Sequence, residues 1–457
     1  MKEITRKRFL SQSGKGIAGA ALGGVVLSGV TPSRVLGAND RVVLGLIGAG
    51  GRGKVDAKGL AEQENVEFKY VCDVNDLRGH DFIKDMKEKQ GYAPKRVIEM
   101  RDIFDDKDVD GVLIATPEHW HALASIWACQ AGKDVYVEKC PTLTIHEGRK
   151  MVEAVRKYKR ILQIGTQNRS GAYGYSAREY IQSGKLGKVV MVKCYNTLNG
   201  GPWSPKPDQP APKTLDWDRW LGPAPYVPFN PGRCSSGARG RGWQQHWNYC
   251  GGQLADDGSH VLDLARLAIG DPGQPKSVFC AGGRIAYKDE RETPDVQSII
   301  YDYGDFAMTM DCTECIPYNK KSNNEVRYGD KFPYWPQNST RIEIYGTKRM
   351  MYLGRHGGGW QVYEEDGKVV DFDYGYKPDK VHEKNFIDCI RSRKDPNGVV
   401  EQGHLSACVV HLANISLRVG NKQLYFDAEK ERFTNNEEAN KLLKLAYREK
   451  FRIPERV

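Results

Sequence analysis

The sequence predicts an α/β protein of two parts: a doubly wound parallel sheet, then an α/β domain built on a large, mostly antiparallel open sheet. Three observations predict it. Apolar strand-like runs alternate with helix-like runs from Arg41 to about Thr166, the pattern of parallel strands joined by crossover helices. A glycine-rich turn, Gly48-Ala49-Gly50-Gly51-Arg52-Gly53, follows directly on the first of those runs. Beyond residue 170 the texture changes to alternating runs separated by turn residues, the signature of antiparallel strands.

In the first part, strands are expected over Val42 to Ile47, Glu67 to Asp73, Gly111 to Ala115, Asp134 to Val137 and Ile161 to Gly165. Between the last two, Ile145 to Lys157 carries Met151, Val152 and Val155 as one apolar stripe among charges, which reads as an amphipathic helix. In the second part a helix is expected over Ser176 to Ile181. Val296 to Tyr303 and Phe306 to Met310 flank Gly304-Asp305 as a hairpin, and helices return at His382 to Ile390 and Leu405 to Leu417. Two stretches, Asn199 to Gly242 and Pro317 to Asn338, have no periodic pattern and read as long loops. The expected division is a leader over 1–38, a nucleotide domain over 39–168 and a second domain over 169–457.

The glycine turn gains meaning from its context. A G-x-G-x-x-G turn between a strand and a helix is the dinucleotide-binding Rossmann arrangement: Gly48 makes the tight turn, Gly50 lets backbone approach a pyrophosphate, and Gly53 lets helix pack on strand. Ala49, Gly51 and Arg52 complete the loop. Asp73 stands 20 residues after Gly53, where a carboxylate accepts the ribose hydroxyls and repels a 2'-phosphate, so NAD is expected over NADP. Thr116-Pro117-Glu118-His119-Trp120-His121 follows the third expected strand, at the carboxyl edge where ligands of such sheets bind. Thr116, Pro117, His119 and His121 are therefore cofactor-side candidates, the two histidines with a helix-capping role as the alternative.

Glu138-Lys139-Cys140-Pro141 occupies the same edge after the next strand, and Gly251 to His260 leads into a helical run. If that helix begins by Asp256, His260 shares its face one turn on, and the carboxylate orients the imidazole. Oxidising an alcohol needs a base for the hydroxyl proton while hydride leaves carbon, and imidazole suits that task. A lysine ammonium nearby stabilises the developing alkoxide. Gln167 and Arg169 leave the last strand of the first part and are substrate-side candidates, with a domain-junction ion pair as the alternative for Arg169. Trp247 is a candidate stacking face for a sugar ring, with packing as its alternative. Cys312-Thr313-Glu314-Cys315 has metal-ligand spacing, but no second ligand pair follows, so two ordinary thiols are expected and no metal.

Taken together, the glycine loop, Thr116-Pro117, Glu138-Lys139 with its proline, Gly165-Thr166-Gln167, Gly187-Lys188-Val189 and the Asp256 to His260 spacing resemble the Gfo/Idh/MocA oxidoreductases over nearly the whole chain after residue 40. In one departure, Cys140 stands where the family's proline directly follows the lysine. The resemblance implies hydride transfer between NAD and a secondary hydroxyl of a sugar, glycoside or cyclitol. It implies Lys139, Asp256 and His260 as the catalytic set, with Asp257 a second choice for the carboxylate, and a homo-oligomer formed through the second sheet. Two other outcomes keep the same motifs: glycoside cleavage through transient oxidation by tightly bound NAD, and dinucleotide binding without turnover.

Charge excludes one class. The net charge is +10, but residues 1–38 hold six basic residues and one acid, leaving +5 on the remainder, too little to expect a nucleic-acid partner. That leader has a basic start, a weakly apolar run from Gly16 to Val30 too short to span a bilayer, and a small-residue cleavage candidate at Gly37-Ala38. Within it, Thr5-Arg6-Lys7-Arg8-Phe9-Leu10 resembles a twin-arginine export signal with Lys7 in place of the second arginine. Export to the periplasm, already folded around its cofactor, is the expectation, and a cytoplasmic enzyme with an unused leader is the alternative.

Overall fold

The computed structural model describes residues 41–204, 206–235 and 242–457, so the leader and its export motif lie outside the described residues. Six parallel strands form the first sheet: β1 Val42–Ile47, β2 Val66–Cys72, β3 Lys95–Val97, β4 Gly111–Ile114, β5 Asp134–Val137 and β6 Leu162–Ile164. Their order is β3-β2-β1-β4-β5-β6, the doubly wound arrangement with its switch point between β1 and β4. β1, β4 and β5 are buried at every residue, because helices cover both faces and no polar face is needed. β3 was not expected. Of its three residues only Val97 is buried, and an edge strand of that length leaves no periodic mark in the sequence.

The helix Ile145–Tyr158 starts at a capping box, in which Thr144 Oγ1 accepts from the Glu147 backbone N–H and the Glu147 carboxylate accepts from the Thr144 N–H. This fixes the chain direction between β5 and β6.

The second sheet has ten strands: β7 Val189–Thr197, β8 Ser277–Gly283, β9 Val296–Asp302, β10 Ala307–Thr313, β11 Arg341–Gly346, β12 Met350–Gly354, β13 Trp360–Tyr363, β14 Val369–Asp373, β15 Leu424–Asp427 and β16 Arg432–Phe433. They run in the order β14-β13-β12-β11-β7-β10-β9-β8-β15-β16, antiparallel except for the β7–β10 pair. The β9–β10 hairpin turns at Gly304, whose φ of 86° suits glycine. One face of the sheet packs on helices Ser259–Ala268 and Val400–Arg418. The other leaves Val190, Phe279, Ile300 and Tyr425 exposed.

Residues from beyond 168 also contribute to the core of the first sheet. Phe386, Ile387 and Ile390 of helix Asp379–Ser392 join the core formed by β1, β2 and helix Gly51–Leu60. Phe451, Ile453 and Val457 join the core on the opposite face of the same sheet. A parallel sheet needs apolar cover on both faces, and part of that cover arrives from the far end of the chain. Among the described residues no helix is long and apolar enough to cross a membrane.

Candidate active site

β1 ends at Ile47 and the next helix begins at Gly51, so the chain reverses within three residues. Gly48 has φ 92°, and a Cβ there would stand 2.8 Å from the Ala115 carbonyl. A Cβ on Gly53 would come within 2.1 Å of Gly48 O. These two glycines are required by packing. Gly50 and Gly51 are different: a Cβ on Gly51 meets nothing within 4 Å, and one on Gly50 meets only Arg78 Nη1, at 3.9 Å. Their bareness keeps open the space over the positive end of the helix.

Asp73, one residue beyond β2, is turned to this loop. Its Oδ2 accepts the Ala49 N–H at 2.7 Å and its Oδ1 the Asn75 N–H at 2.7 Å. Two cavities meet along the loop. One, of about 220 Å³, is bounded by Ile47, Asp73, Ile98, Met100, Trp127 and Phe451, among others. The second, of about 540 Å³, is lined by charged and polar groups that include Arg52, Glu138, Lys139, Gln167, Asp256 and His260. Gly50, Thr116, Pro117 and Trp220 belong to both. Thr116 Oγ1 is buried there without a hydrogen-bond partner, a donor and acceptor that a ligand would satisfy. A chamber with apolar walls that also holds the carboxylates of Asp73 and Glu99, a bare glycine turn and a polar chamber in series match the ends and the middle of a dinucleotide.

Lys139 and Asp256 come from the two halves of the molecule. Lys139 Nζ donates to Asp256 Oδ1 at 2.5 Å and to the Asp256 carbonyl at 2.7 Å. Burial opposes the ammonium, but Asp256, Glu138 and Glu118 outweigh it and hold the Lys139 pKa above the usual lysine value. Lys139 is therefore a fixed cation. His260 is buried, and its Nδ1 has no hydrogen-bond partner. Burial first, and then the positive charges of Arg355 and Lys139, hold its pKa well below the usual imidazole value. A neutral imidazole beside a fixed ammonium is a base paired with an alkoxide stabiliser.

The expected pairing of Asp256 with His260 is not the contact made. Residues Leu254–Gly258 form a π-turn, whose wider winding breaks the i,i+4 alignment on which the expectation rested. Asp256 turns to Lys139 instead. The carboxylate felt by His260 is Asp257, which lies 2.5 Å from Lys321 Nζ and 3.5 Å from Arg355 Nη2.

Glu138 Oε1 accepts Gln167 Nε2 at 3.0 Å and faces Arg52 Nε at 3.2 Å. Arg52 also meets Asp56 at 2.8 Å and Asp379 at 3.6 Å, so carboxylates hold this loop arginine at the cavity wall.

Four expected contacts lie elsewhere. Arg169 does not line either cavity. It is buried in an ion pair with Asp263 at 2.8 Å and Asp271 at 2.8 Å, because a guanidinium taken out of water needs charge partners. His119 packs between Trp220 and Tyr249 and bonds the Trp220 carbonyl at 2.9 Å. His121 bridges the carbonyls of Cys140, at 2.7 Å, and Thr116, at 2.8 Å. It shapes two cavity loops from behind and does not touch the cavity. Trp247 lies against Arg418, whereas Trp220 and Trp243 line the larger cavity. Cys312 is buried beside Asn196. Among the described residues the one group with ion-sharing geometry is His404, Cys408 and Glu431, and there Glu431 already pairs with Arg149 at 2.7 Å.

The cavity also contains residues that sequence reasoning missed: Lys321, Arg327, Arg355, His356 and Lys377. Lys321 and Arg327 come from the unpatterned stretch 317–338, where their charge without periodicity was the one available signal. Arg355 and His356 follow β12 and carry none.

Residues 42–166 match the family described as "Oxidoreductase family, NAD-binding Rossmann fold". Residues 181–314 and 363–453 match "Oxidoreductase family, C-terminal alpha/beta domain". Among curated relatives, a "Glycosyl hydrolase family 109 protein" of Shewanella baltica is 26% identical over 207 residues, 42% of this chain and 45% of that protein. A levoglucosan dehydrogenase of Pseudarthrobacter phenanthrenivorans is 29% identical over 171 residues, 37% of this chain and 36% of that protein. The chain thus spans under half the length of these curated relatives. Among solved structures, the WlbA dehydrogenase of Bordetella pertussis in complex with NADH and UDP-GlcNAcA superposes with a TM-score of 0.59 at 19% identity, covering 85% of this chain and 99% of that one.

Proposed function

The chain belongs to the GFO/IDH/MocA oxidoreductase family, and on that premise we propose that it oxidises or reduces a secondary hydroxyl of a sugar, glycoside or cyclitol. The observation that carries this reading is the convergence of Lys139, Asp256 and His260 on the cavity that shares Gly50, Thr116 and Pro117 with the nucleotide side. NAD supplies hydride exchange at carbon. His260 takes the hydroxyl proton, Lys139 steadies the oxygen as charge develops, and Asp256 fixes Lys139 in place. Asp73 lines the chamber assigned to the adenosine end, where its carboxylate disfavours a 2'-phosphate.

The test is to incubate the protein with NAD and a panel of sugars and cyclitols and to follow NADH absorbance together with the keto product. Reduction of NAD by none of them would overturn the reading.

A second reading is favoured by one finding, the similarity to glycosyl hydrolase family 109 proteins. There the hydroxyl oxidation would be transient: the acidified C–H gives up its proton, the glycosidic bond breaks as the aglycone leaves with a proton, water adds across the resulting double bond, and return of the hydride restores the hydroxyl. Released aglycone without net NADH selects this reading, and net NADH without cleavage excludes it. Two further proposals concern assembly and place. The exposed apolar face of the second sheet supports a homo-oligomer, and the Thr5–Leu10 motif supports export with cofactor aboard.

A further inference from the structure

The larger cavity carries more positive charge than its own carboxylates neutralise, and the surplus sits on one wall. Lys321, Arg327, Arg355 and His356 line that wall. They fall in residues 315–362, between the two parts of the second domain that match the family. The four thus come from a stretch that the family model leaves unmatched and that includes β11 and β12. None of the acids lining the cavity comes from that stretch.

Lys321 and Arg355 share a single carboxylate, Asp257, at 2.5 Å and 3.5 Å. The Arg355 side chain is only 10% exposed, and its Nε has no hydrogen-bond partner. Arg327 donates its Nε to the Ser322 carbonyl at 2.7 Å, and among the described residues no carboxylate lies within ion-pair reach of it. Three cations thus face one anion. A buried guanidinium with an unmade bond is costly unless something completes it. His260 and His356 register the same field: burial and, next, Arg355 hold both imidazoles well below their usual pKa.

We propose that this wall binds an anionic substituent of the substrate, a carboxylate or phosphate ester, and so selects acidic over neutral sugars. The proposal rests on the reading above that the cavity holds the sugar. Forked guanidinium donors match the paired oxygens of either group. Bound there, the anion completes Arg355 and balances Arg327, and it anchors the ring at the end of the cavity lined by residues 321–356.

The test is calorimetric titration of the NAD-loaded protein with D-glucuronate, D-glucose 6-phosphate and D-glucose. At least one charged sugar is expected to bind about tenfold or more tightly than glucose, with the advantage shrinking as salt rises. Arg327→Gln and Lys321→Gln, separately and together, should each erode that advantage about fivefold or more, read as the ratio of charged-sugar to glucose affinity in the same folded variant. Preference for glucuronate or for the phosphate ester identifies the group. Equal binding of charged and neutral sugars, binding of none, or a preference that survives the double variant overturns the proposal. A charged sugar that binds through these cations while no sugar of the panel yields NADH or cleavage would leave the anion site standing and refute the redox reading.

Discussion

Lys139 Nζ reaches Asp256 twice, at its carboxylate and at its backbone carbonyl, 2.5 Å and 2.7 Å away, so one ammonium ties the end of β5 to the π-turn of the second half. Replacing any member of this set should therefore separate binding from turnover. Lys139→Met, Asp256→Asn and His260→Ala are expected to bind NAD almost normally by fluorescence titration. Turnover should fall by about 10²–10⁴ for the loss of a proton-transfer or charge-stabilising group. Unchanged turnover in Lys139→Met and His260→Ala would remove both from the chemistry.

The state of His260 sets the acid limb. A base must be neutral, and burial with nearby cations lowers its pKa in the folded protein. The acid limb of kcat/KM should then fall below the ordinary imidazole value of about 6.5. The same depression adds stability above that value, and the added stability is lost as pH falls toward the folded pKa. Arg355→Gln, which removes the largest neighbouring charge, should move the acid limb upward. A limb at or above the ordinary value in the wild type would contradict the assignment.

The glycine loop predicts opposite outcomes for two similar changes. In Gly53→Ala the methyl meets Gly48 O at 2.1 Å, so a lower melting temperature and poor yield are expected. In Gly50→Ala the methyl enters nearly open space, with Arg78 Nη1 at 3.9 Å. The variant should fold normally yet bind NAD about tenfold or more weakly, because the methyl occupies ground the phosphates need. Normal NAD affinity in folded Gly50→Ala would show that the phosphates pass elsewhere.

Arg169 gives a prediction of the reverse kind. Its side chain is 3% exposed and that of Asp263 is 1% exposed, so Arg169→Met leaves an uncompensated buried charge and should cost about 3–5 kcal/mol of stability. Activity per folded molecule should persist. A specific rise in KM with an unchanged melting temperature would restore Arg169 as a substrate contact.

These variants also show where sequence reasoning succeeds and fails. The glycine loop and Asp73 were legible because each residue answers a local steric or charge requirement that spacing encodes. Lys139 and His260 were legible as members of the site, but the Asp256–His260 contact was not, since nothing in the pattern announces a π-turn. Arg169, His119 and Trp247 failed because polarity in the sequence does not say whether a group faces a cavity or a buried partner. Arg355 could not have been found at all. Its place in the wall depends on β12 pairing with β11 and on Asp257 reaching it from the π-turn, contacts that carry no periodic signal.

The packing of Phe451, Ile453 and Val457 under the first sheet, with helix Asp379–Ser392 on its other face, has a consequence for synthesis. Ribosomes deliver about 5–20 residues per second, so the nucleotide half emerges first and waits roughly 15–60 s with both faces partly bare. Its apolar cover is complete only once residues 451–457 have appeared, so a product cut short before helix Asp379–Ser392 keeps apolar surface bare on both faces of the first sheet.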